Sequence, residues 1–295
     1  MDRYTRAGLE FLVRDDGPAD GAPVVLLHGF PQDASSWHRV APVLHAAGLR
    51  TLAPDQRGYS PGARPRGRAA YRVGELVEDV VALLDAAAVG QAHLVGHDWG
   101  GGVAWMVAAW RPERVASLTV LSTPHPAALT WAFTHSDQWR RSWYMLAFQL
   151  PLLPEHLLAG RVTGLLRDSG LGDDAARYAQ RFATASSLYG PIGWYRAAPP
   201  TAGLVGQVRR RLAPSAAPGA TSGPRAPESA HRRVRVPTTY VWGNRDFALG
   251  RAAAERTARH VAGDYRFVEL DAGHWLPERR PVEVAAAILD RVATA

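Results

Sequence analysis

Short apolar runs alternate with amphipathic stretches along the first half of the chain. Runs of a few apolar residues, bounded by turn-forming residues, predict strands at 8–13, 23–28, 50–54, 92–96 and 115–121. Apolar residues that recur at helical spacing predict a helix at 73–88, and a long apolar stretch predicts a buried helix at 103–110. Strands that alternate with helices predict an α/β fold with a mostly parallel sheet covered on both faces.

This alternation is interrupted in the middle of the chain and resumes near its end. Residues 126–200 are helical in tendency and rich in aromatic residues, which predicts an inserted helical cap over an active site. Residues 201–235 are rich in Pro, Ala and Arg and predict a flexible connection. The strand and helix patterns of 236–295 then complete, together with 1–125, one α/β core.

Composition narrows the classes of function. Hydrophobic residues make up 47% and charged residues 21% of the chain, as in ordinary globular domains. No run of about 18 apolar residues is present, so we expect no membrane span, and the first residues lack the pattern of a secretion signal. The absence of cysteine excludes disulfides and a cysteine nucleophile. A cytoplasmic protein is the simplest expectation.

The formal net charge of +7 raises the question of a nucleic-acid partner. All of the Lys and Arg positions are arginine, and the densest runs lie at 209–211 and 232–235. These runs fall in a Pro/Ala/Ser-rich stretch without interleaved aromatic residues. We therefore interpret them as a solvated surface segment and expect no nucleic-acid partner.

The segment 94–102 carries the first sign of chemistry. Its small-x-nucleophile-x-small pattern around Asp98 is typical of a nucleophile elbow, a sharp turn between a strand and a helix. A serine at this position attacks carbonyl carbon. A carboxylate that attacks a saturated carbon forms an alkyl ester, so Asp98 favours displacement at saturated carbon followed by hydrolysis.

Hydrolysis of such an ester needs a base and a group that orients the base. His274 follows the last predicted strand, and chains of this kind run in the order nucleophile, acid, histidine. Asp246 follows the preceding strand and is the first choice for the acid, whereas Asp271 is a second choice because it is so close to His274 in sequence. The backbone N–H groups of Phe30 and Trp99 are the candidates for stabilising an oxyanion.

Together, these motifs and the segment 28–31 (His-Gly-Phe-Pro) resemble the epoxide hydrolases of the α/β-hydrolase superfamily. The resemblance covers almost the whole chain and is weakest in the first few residues and at 201–233. It implies the α/β-hydrolase fold and conversion of a hydrophobic epoxide to a vicinal diol through a glycol ester on Asp98. It also implies that two tyrosines of the cap, Tyr144 and Tyr195, donate hydrogen bonds to the epoxide oxygen.

Two other functions stay open at this point. Haloalkane and haloacid dehalogenases resemble this chain in their aspartate nucleophile, but Phe30 cannot donate to a halide as their asparagine does. Arginines that follow the nucleophile in fluoroacetate dehalogenases are replaced by Trp99, Gly100 and Gly101. A non-catalytic ligand-binding protein on this fold is the remaining alternative, against which the complete set of reactive residues argues. We expect no cofactor and no metal; the expected partners are a small hydrophobic epoxide and water, and a homodimer stays open.

Overall fold

A computed structural model describes residues 1–198 and 233–295. The strands in these ranges are β1 (Arg3–Arg6), β2 (Leu9–Asp16), β3 (Ala22–Leu27), β4 (Leu49–Pro54), β5 (Ala92–His97), β6 (Val115–Leu121), β7 (Thr238–Gly243) and β8 (Tyr265–Leu270). They form one sheet in the order β1-β2-β4-β3-β5-β6-β7-β8. The pairs β1–β2 and β2–β4 are antiparallel, and all other pairs are parallel.

Helices lie between most of the parallel strands. In chain order the described α-helices are α1 (Ala41–Ala46), α2 (Val73–Ala86), α3 (Trp99–Trp110), α4 (Pro126–His135), α5 (Gln138–Arg141), α6 (Trp143–Ala147), α7 (Leu153–Leu158), α8 (Val162–Leu166), α9 (Ala185–Ala197), α10 (Arg251–Arg256), α11 (Leu276–Arg279) and α12 (Pro281–Ala293). Short 3-10 helices occupy Ala34–Trp37, Arg68–Tyr71, Pro112–Arg114, Gly172–Tyr178 and Thr257–His260, and a π-helical turn Arg167–Leu171. The predicted α/β fold with a mostly parallel sheet is confirmed.

Both faces of the sheet are buried, as the continuous apolar runs of its central strands require. Successive residues of β3 alternate between two apolar clusters. Val25 and Leu27 pack in the cluster that contains α2 and α3, whereas Val24 and Leu26 pack in the cluster that contains α1 and α12. The carboxyl ends of β3, β5, β7 and β8 therefore meet along one edge, where the candidate residues follow the strands.

The helices α4 to α9 lie in sequence between β6 and β7, and we call these helices and the segments that join them the helical layer. Arg181 of this layer forms ion pairs with Asp33 at 2.9 Å and Asp55 at 2.6 Å, which join it to the loops after β3 and β4. A Cβ on Gly58 would collide with the backbone of Gly190, so α9 packs directly on the loop after β4. These contacts fix α9 over the sheet edge.

The described residues cover only part of the predicted domain division. The described helices of the layer lie inside the predicted cap at 126–200. The predicted connection at 201–235 lies outside the described residues, apart from 233–235.

Candidate active site

The turn between β5 and α3 holds Asp98 in a conformation that few side chains adopt. Asp98 has φ +50° and ψ −121°, and such strain costs on the order of 1–3 kcal/mol. Glycines permit the turn, because a Cβ on Gly96 would collide with the carbonyl of Gly100, and one on Gly100 with that of Leu27. Strain that is kept at one carboxylate indicates a functional position.

The carboxylate of Asp98 is bound on one side and open on the other. Its Oδ1 accepts a hydrogen bond from the Phe30 N–H at 2.8 Å. The side chain does not cap α3, and Trp99 opens that helix, so its N–H is among the donors left free at a helix start. Burial raises the pKa of Asp98, but the positive charge of the nearby His274 and the hydrogen bond from Phe30 outweigh it and the pKa is lowered. Asp98 is therefore ionised at neutral pH.

His274 and Asp246 meet Asp98 from the loops after β8 and β7. The distance from His274 Nδ1 to Asp246 Oδ2 is 2.8 Å, and that from His274 Nε2 to Asp98 Oδ2 is 3.6 Å. Both His274 and Asp246 are buried. Asp246 is fixed because its Oδ1 accepts hydrogen bonds from the N–H groups of Ala248 and Leu249. This arrangement suits a nucleophile, a base and a group that orients the base.

Asp271, the second choice for the acid, lies elsewhere. Its side chain is 71% exposed and forms an ion pair with Arg245 at 3.0 Å. The structure therefore brings Asp246, and not Asp271, to His274.

The two carboxylates determine the charge of His274. Burial lowers its pKa, but the negative charge and hydrogen bond of Asp246 and the negative charge of Asp98 outweigh burial and raise the pKa of His274 to about 10. The ring is therefore protonated at neutral pH while Asp98 is ionised. Neutralisation of Asp98 removes one of these two charges and lowers the pKa of His274.

Tyr144 on α6 and Tyr195 on α9 line the same cavity as Asp98. Their ring centroids are 6.0 Å apart. Tyr195 is almost fully buried, with its ring centroid 5.0 Å from that of Trp99 and 5.3 Å from that of Phe30. Burial raises the pKa of both phenols, and the negative charge of Asp98 raises it further. Both hydroxyls therefore keep their protons at neutral pH and can donate.

The cavity has a volume of about 270 Å³ and is mostly apolar. Two hydroxyls in its wall are already engaged, since Thr123 donates to the Asp98 carbonyl at 2.7 Å and Thr130 to the Pro126 carbonyl at 2.9 Å. Among the described residues, Asp98 is the one charged side chain in the lining. The apolar wall includes Leu129, Phe133, Met145, Ala198 and Leu249. The cavity therefore suits a small, uncharged, apolar ligand.

Sequence reasoning missed the side chains that hold the His274 loop from behind. His97 Nε2 lies 2.9 Å from the carbonyl oxygen of His274, and Ser122 Oγ donates to the same oxygen at 2.8 Å. Gln32 Oε1 lies 2.9 Å from His97 Nδ1 and accepts a hydrogen bond from the Gly29 N–H at 3.3 Å. A polar residue at the end of a buried strand, such as His97, is the signal that the sequence offers for such a role.

Within residues 1–198 and 233–295, no group of three or more His, Cys, Asp or Glu side chains is arranged to hold a metal ion. No helix in the same ranges has the length and apolar character needed to cross a membrane.

The class of the protein follows from the fold and from a comparison with known families. A family model described as alpha/beta hydrolase fold matches residues 22–281. On this fold, Asp98 lies at the turn after β5, His274 in the loop after β8, and the helical layer between β6 and β7.

Individual proteins that resemble this chain indicate its family within the α/β-hydrolase fold. The chain is 36% identical to epoxide hydrolase A of Mycobacterium tuberculosis, over 92% of this chain and 90% of that protein. It is 32% identical to the AB hydrolase superfamily protein YfhM of Bacillus subtilis, over 96% and 94%. The crystal structure of epoxide hydrolase A from Mycobacterium thermoresistibile is 27% identical, with a TM-score of 0.75 over 99% of this chain and 97% of that chain. The chain belongs to the epoxide hydrolase family of the α/β-hydrolase fold, which confirms the family predicted from the motifs.

Proposed function

We propose that this protein converts small, apolar epoxides to vicinal diols by way of an ester on Asp98. The observation that carries the proposal is the arrangement around one apolar cavity, where a carboxylate faces two protonated phenols and contacts a buried histidine. Its relative in Mycobacterium tuberculosis is named an epoxide hydrolase. The wall, in which Asp98 is the one charged side chain among the described residues, favours substrates without a carboxylate or phosphate group.

In the first step, Asp98 attacks a carbon of the epoxide ring. The new bond joins Asp98 Oδ2 to that carbon, the carbon–oxygen bond of the ring breaks, and negative charge develops on the epoxide oxygen. Tyr144 and Tyr195 donate hydrogen bonds to this oxygen, and one of them transfers its proton to the alkoxide. The hydrogen bond from Phe30 to Oδ1 leaves Oδ2 as the attacking oxygen.

In the second step, His274 becomes a base because the first step removes a negative charge beside it. The ester on Asp98 is neutral, so the pKa of His274 falls from its high value and the ring can release its proton to the tyrosinate. His274 then takes a proton from water, which attacks the carbonyl carbon of the ester, while Asp246 stabilises the charged ring. The Phe30 and Trp99 N–H groups stabilise the oxyanion. The glycol oxygen leaves with the proton from His274, and the remaining proton of the attacking water passes from the Asp98 carboxyl group to His274, which regenerates the Asp98 carboxylate and the charged ring.

Isotope labelling in a single turnover tests this scheme. With enzyme in excess over styrene oxide in water enriched in oxygen-18, the diol should carry no label and the peptide that contains Asp98 should carry one labelled oxygen. The reason is that hydrolysis breaks the acyl–oxygen bond of the ester. A labelled diol with unlabelled Asp98 would show direct attack of water. Release of halide from short haloalkanes in a parallel assay, without diol from styrene oxide, would favour a dehalogenase.

The two tyrosines should share one role, so that neither is indispensable. In Tyr195→Phe or Tyr144→Phe enzymes we expect the alkylation rate to fall by roughly 10²-fold, because one donor to the developing alkoxide is lost. The hydrolysis rate of the ester should change little. Stopped-flow measurement of tryptophan fluorescence separates the two rates. The buried Tyr178→Phe enzyme is the matched control for alkylation, since its hydroxyl bonds to Glu278 outside the cavity. A folded Tyr195→Phe enzyme with no activity at all would contradict the shared role.

A further inference from the structure

A buried carboxyl group lies behind the active site, on α11. Glu278 is 1% exposed, and its Oε1 accepts hydrogen bonds from Gln32 Nε2 at 2.6 Å and from the Tyr178 hydroxyl at 2.8 Å. Its Oε2 has no hydrogen-bond partner among the described residues. A buried carboxylate without full solvation is costly, so this position indicates a carboxyl group that holds a proton easily.

Gln32 connects this carboxyl group to both halves of the hydrolytic site. On one side its Oε1 accepts the hydrogen bond from Gly29, the residue before the oxyanion donor Phe30. On the other side the same oxygen faces His97, whose Nε2 faces the carbonyl of His274. The position of the base and that of the oxyanion donor therefore both depend on how the Gln32 amide is oriented.

The orientation of this amide depends on the position of one proton. His97 Nε2 faces a carbonyl oxygen at 2.9 Å, so it must carry hydrogen. A neutral His97 then has an acceptor at Nδ1, which cannot face the acceptor Oε1 of Gln32. Two arrangements remove the conflict. Either His97 is doubly protonated and Glu278 is a carboxylate, or Glu278 holds the proton and donates it to a Gln32 amide turned by half a revolution, which gives up the longer hydrogen bond from the Gly29 N–H at 3.3 Å.

The surroundings decide between the two arrangements. Burial raises the pKa of Glu278 to about 7, although the hydrogen bonds from Tyr178 and Gln32 act against it. Burial lowers the pKa of His97 to about 4. Below neutral pH the proton therefore lies on Glu278, and His97 is neutral.

The charged groups around Glu278 within the described residues do not reverse this result. Asp174 of the helical layer raises the pKa of Glu278 further. Arg39 donates to the Glu278 backbone carbonyl at 2.9 Å and forms an ion pair with Asp174 at 3.0 Å, and His38 Nε2 lies 4.0 Å from Asp174. Arg279 neighbours Glu278 on α11. Arg39 and His38 therefore face Asp174 or the backbone, and among the described residues no cation forms an ion pair with the Glu278 carboxyl.

We propose that Glu278 is a positioning residue for hydrolysis of the Asp98 ester, a role that rests on the proposed function. In its protonated form it turns the Gln32 amide so that N–H faces His97, which keeps His97 neutral and hydrogen-bonded to the His274 carbonyl. Ionisation of Glu278 draws the Gln32 N–H to itself. His97 must then gain a proton beside His274, with ring centroids 5.0 Å apart, or release the His274 carbonyl. Either change weakens His274 as a base, whereas alkylation by Asp98 does not use that base.

A Glu278→Gln enzyme tests this role, since glutamine imitates the protonated acid. In wild type we expect the single-turnover rate of ester hydrolysis to fall above neutral pH, by up to roughly tenfold per pH unit beyond the pKa of Glu278. The Glu278→Gln enzyme should keep the wild-type rate at pH 6 and lose this fall. Glu283→Gln, a half-exposed position on α12, is the matched control and should retain it. The alkylation rates of all three enzymes should agree.

Two further measurements keep the proposal open to contradiction. Tyr178→Phe removes a hydrogen bond that lowers the pKa of Glu278, so the fall in hydrolysis should move to higher pH. Infrared spectra of the enzyme labelled with carbon-13 glutamate should show the band of a protonated carboxyl group, which disappears on titration through neutral pH. The spectra of Glu278→Gln should lack this band. Both results should hold in the presence and in the absence of substrate. Ester formation with an unchanged pH profile in Glu278→Gln overturns the role of Glu278. Failure of wild type to form any ester contradicts the proposed function instead.

Discussion

Without the carboxylate of Asp98 we expect no diol: in an Asp98→Ala enzyme, kcat for any epoxide should fall by at least roughly 10⁴-fold. The ester cannot form, and no other carboxylate of the described residues lines the cavity to replace it. The two phenols and the cavity remain, so substrate should still bind. The loss should therefore fall on kcat and leave the dissociation constant of an epoxide or diol nearly unchanged.

The comparison that isolates this effect uses a second aspartate near the site in sequence. Asp271→Ala removes an exposed carboxylate that pairs with Arg245, three residues before His274, and should keep wild-type kcat. Diol is measured by mass spectrometry, ligand binding by calorimetry, and folding of each variant by its Tm. A folded Asp98→Ala enzyme that forms diol at a rate near wild type would show that water attacks the epoxide directly.

Much of the fold is predictable from the sequence because the buried strands are short, continuous apolar runs. The predicted strand at 115–121 matches β6, and the helical spacing at 73–88 matches α2. The strand β1 was missed, because Arg3–Arg6 is four residues long and only Tyr4 among them is buried. A strand at the edge of a sheet needs few apolar residues, so its pattern is weak.

In the candidate site, the features that depend on neighbouring residues could be predicted from the sequence, whereas contacts between distant residues could not. The turn at Asp98 is visible in the sequence because glycines one turn apart are needed for it. The choice of Asp246 came from the order of residues along the chain, and the two tyrosines came from resemblance and not from any spacing. The contact of Gln32 with Glu278 joins residues 246 positions apart, and no periodicity reports such a pair.

Replacement of His274 by glutamine should stop the reaction after its first step. Glutamine can occupy the site and hydrogen-bond to Asp246, but it cannot take a proton from water. We therefore expect the Asp98 ester to persist, with turnover lost by roughly 10⁴-fold or more. Intact-protein mass should increase by the mass of one epoxide, and peptide mapping should place the addition on Asp98.

The His274→Gln substitution also changes the pH range in which Asp98 can attack. His274 lowers the pKa of Asp98 by its positive charge, so its removal raises that pKa. As the solution is acidified, the Asp98 carboxylate of His274→Gln is then protonated at a higher pH than that of wild type. Adduct formation in His274→Gln should therefore stop at a higher pH than in wild type. The matched control is the double variant Asp98→Ala/His274→Gln, which should form no adduct at any pH. If His274→Gln binds epoxide and yet accumulates no adduct at pH 8, the ester does not depend on His274 for its hydrolysis, and the base must be another group.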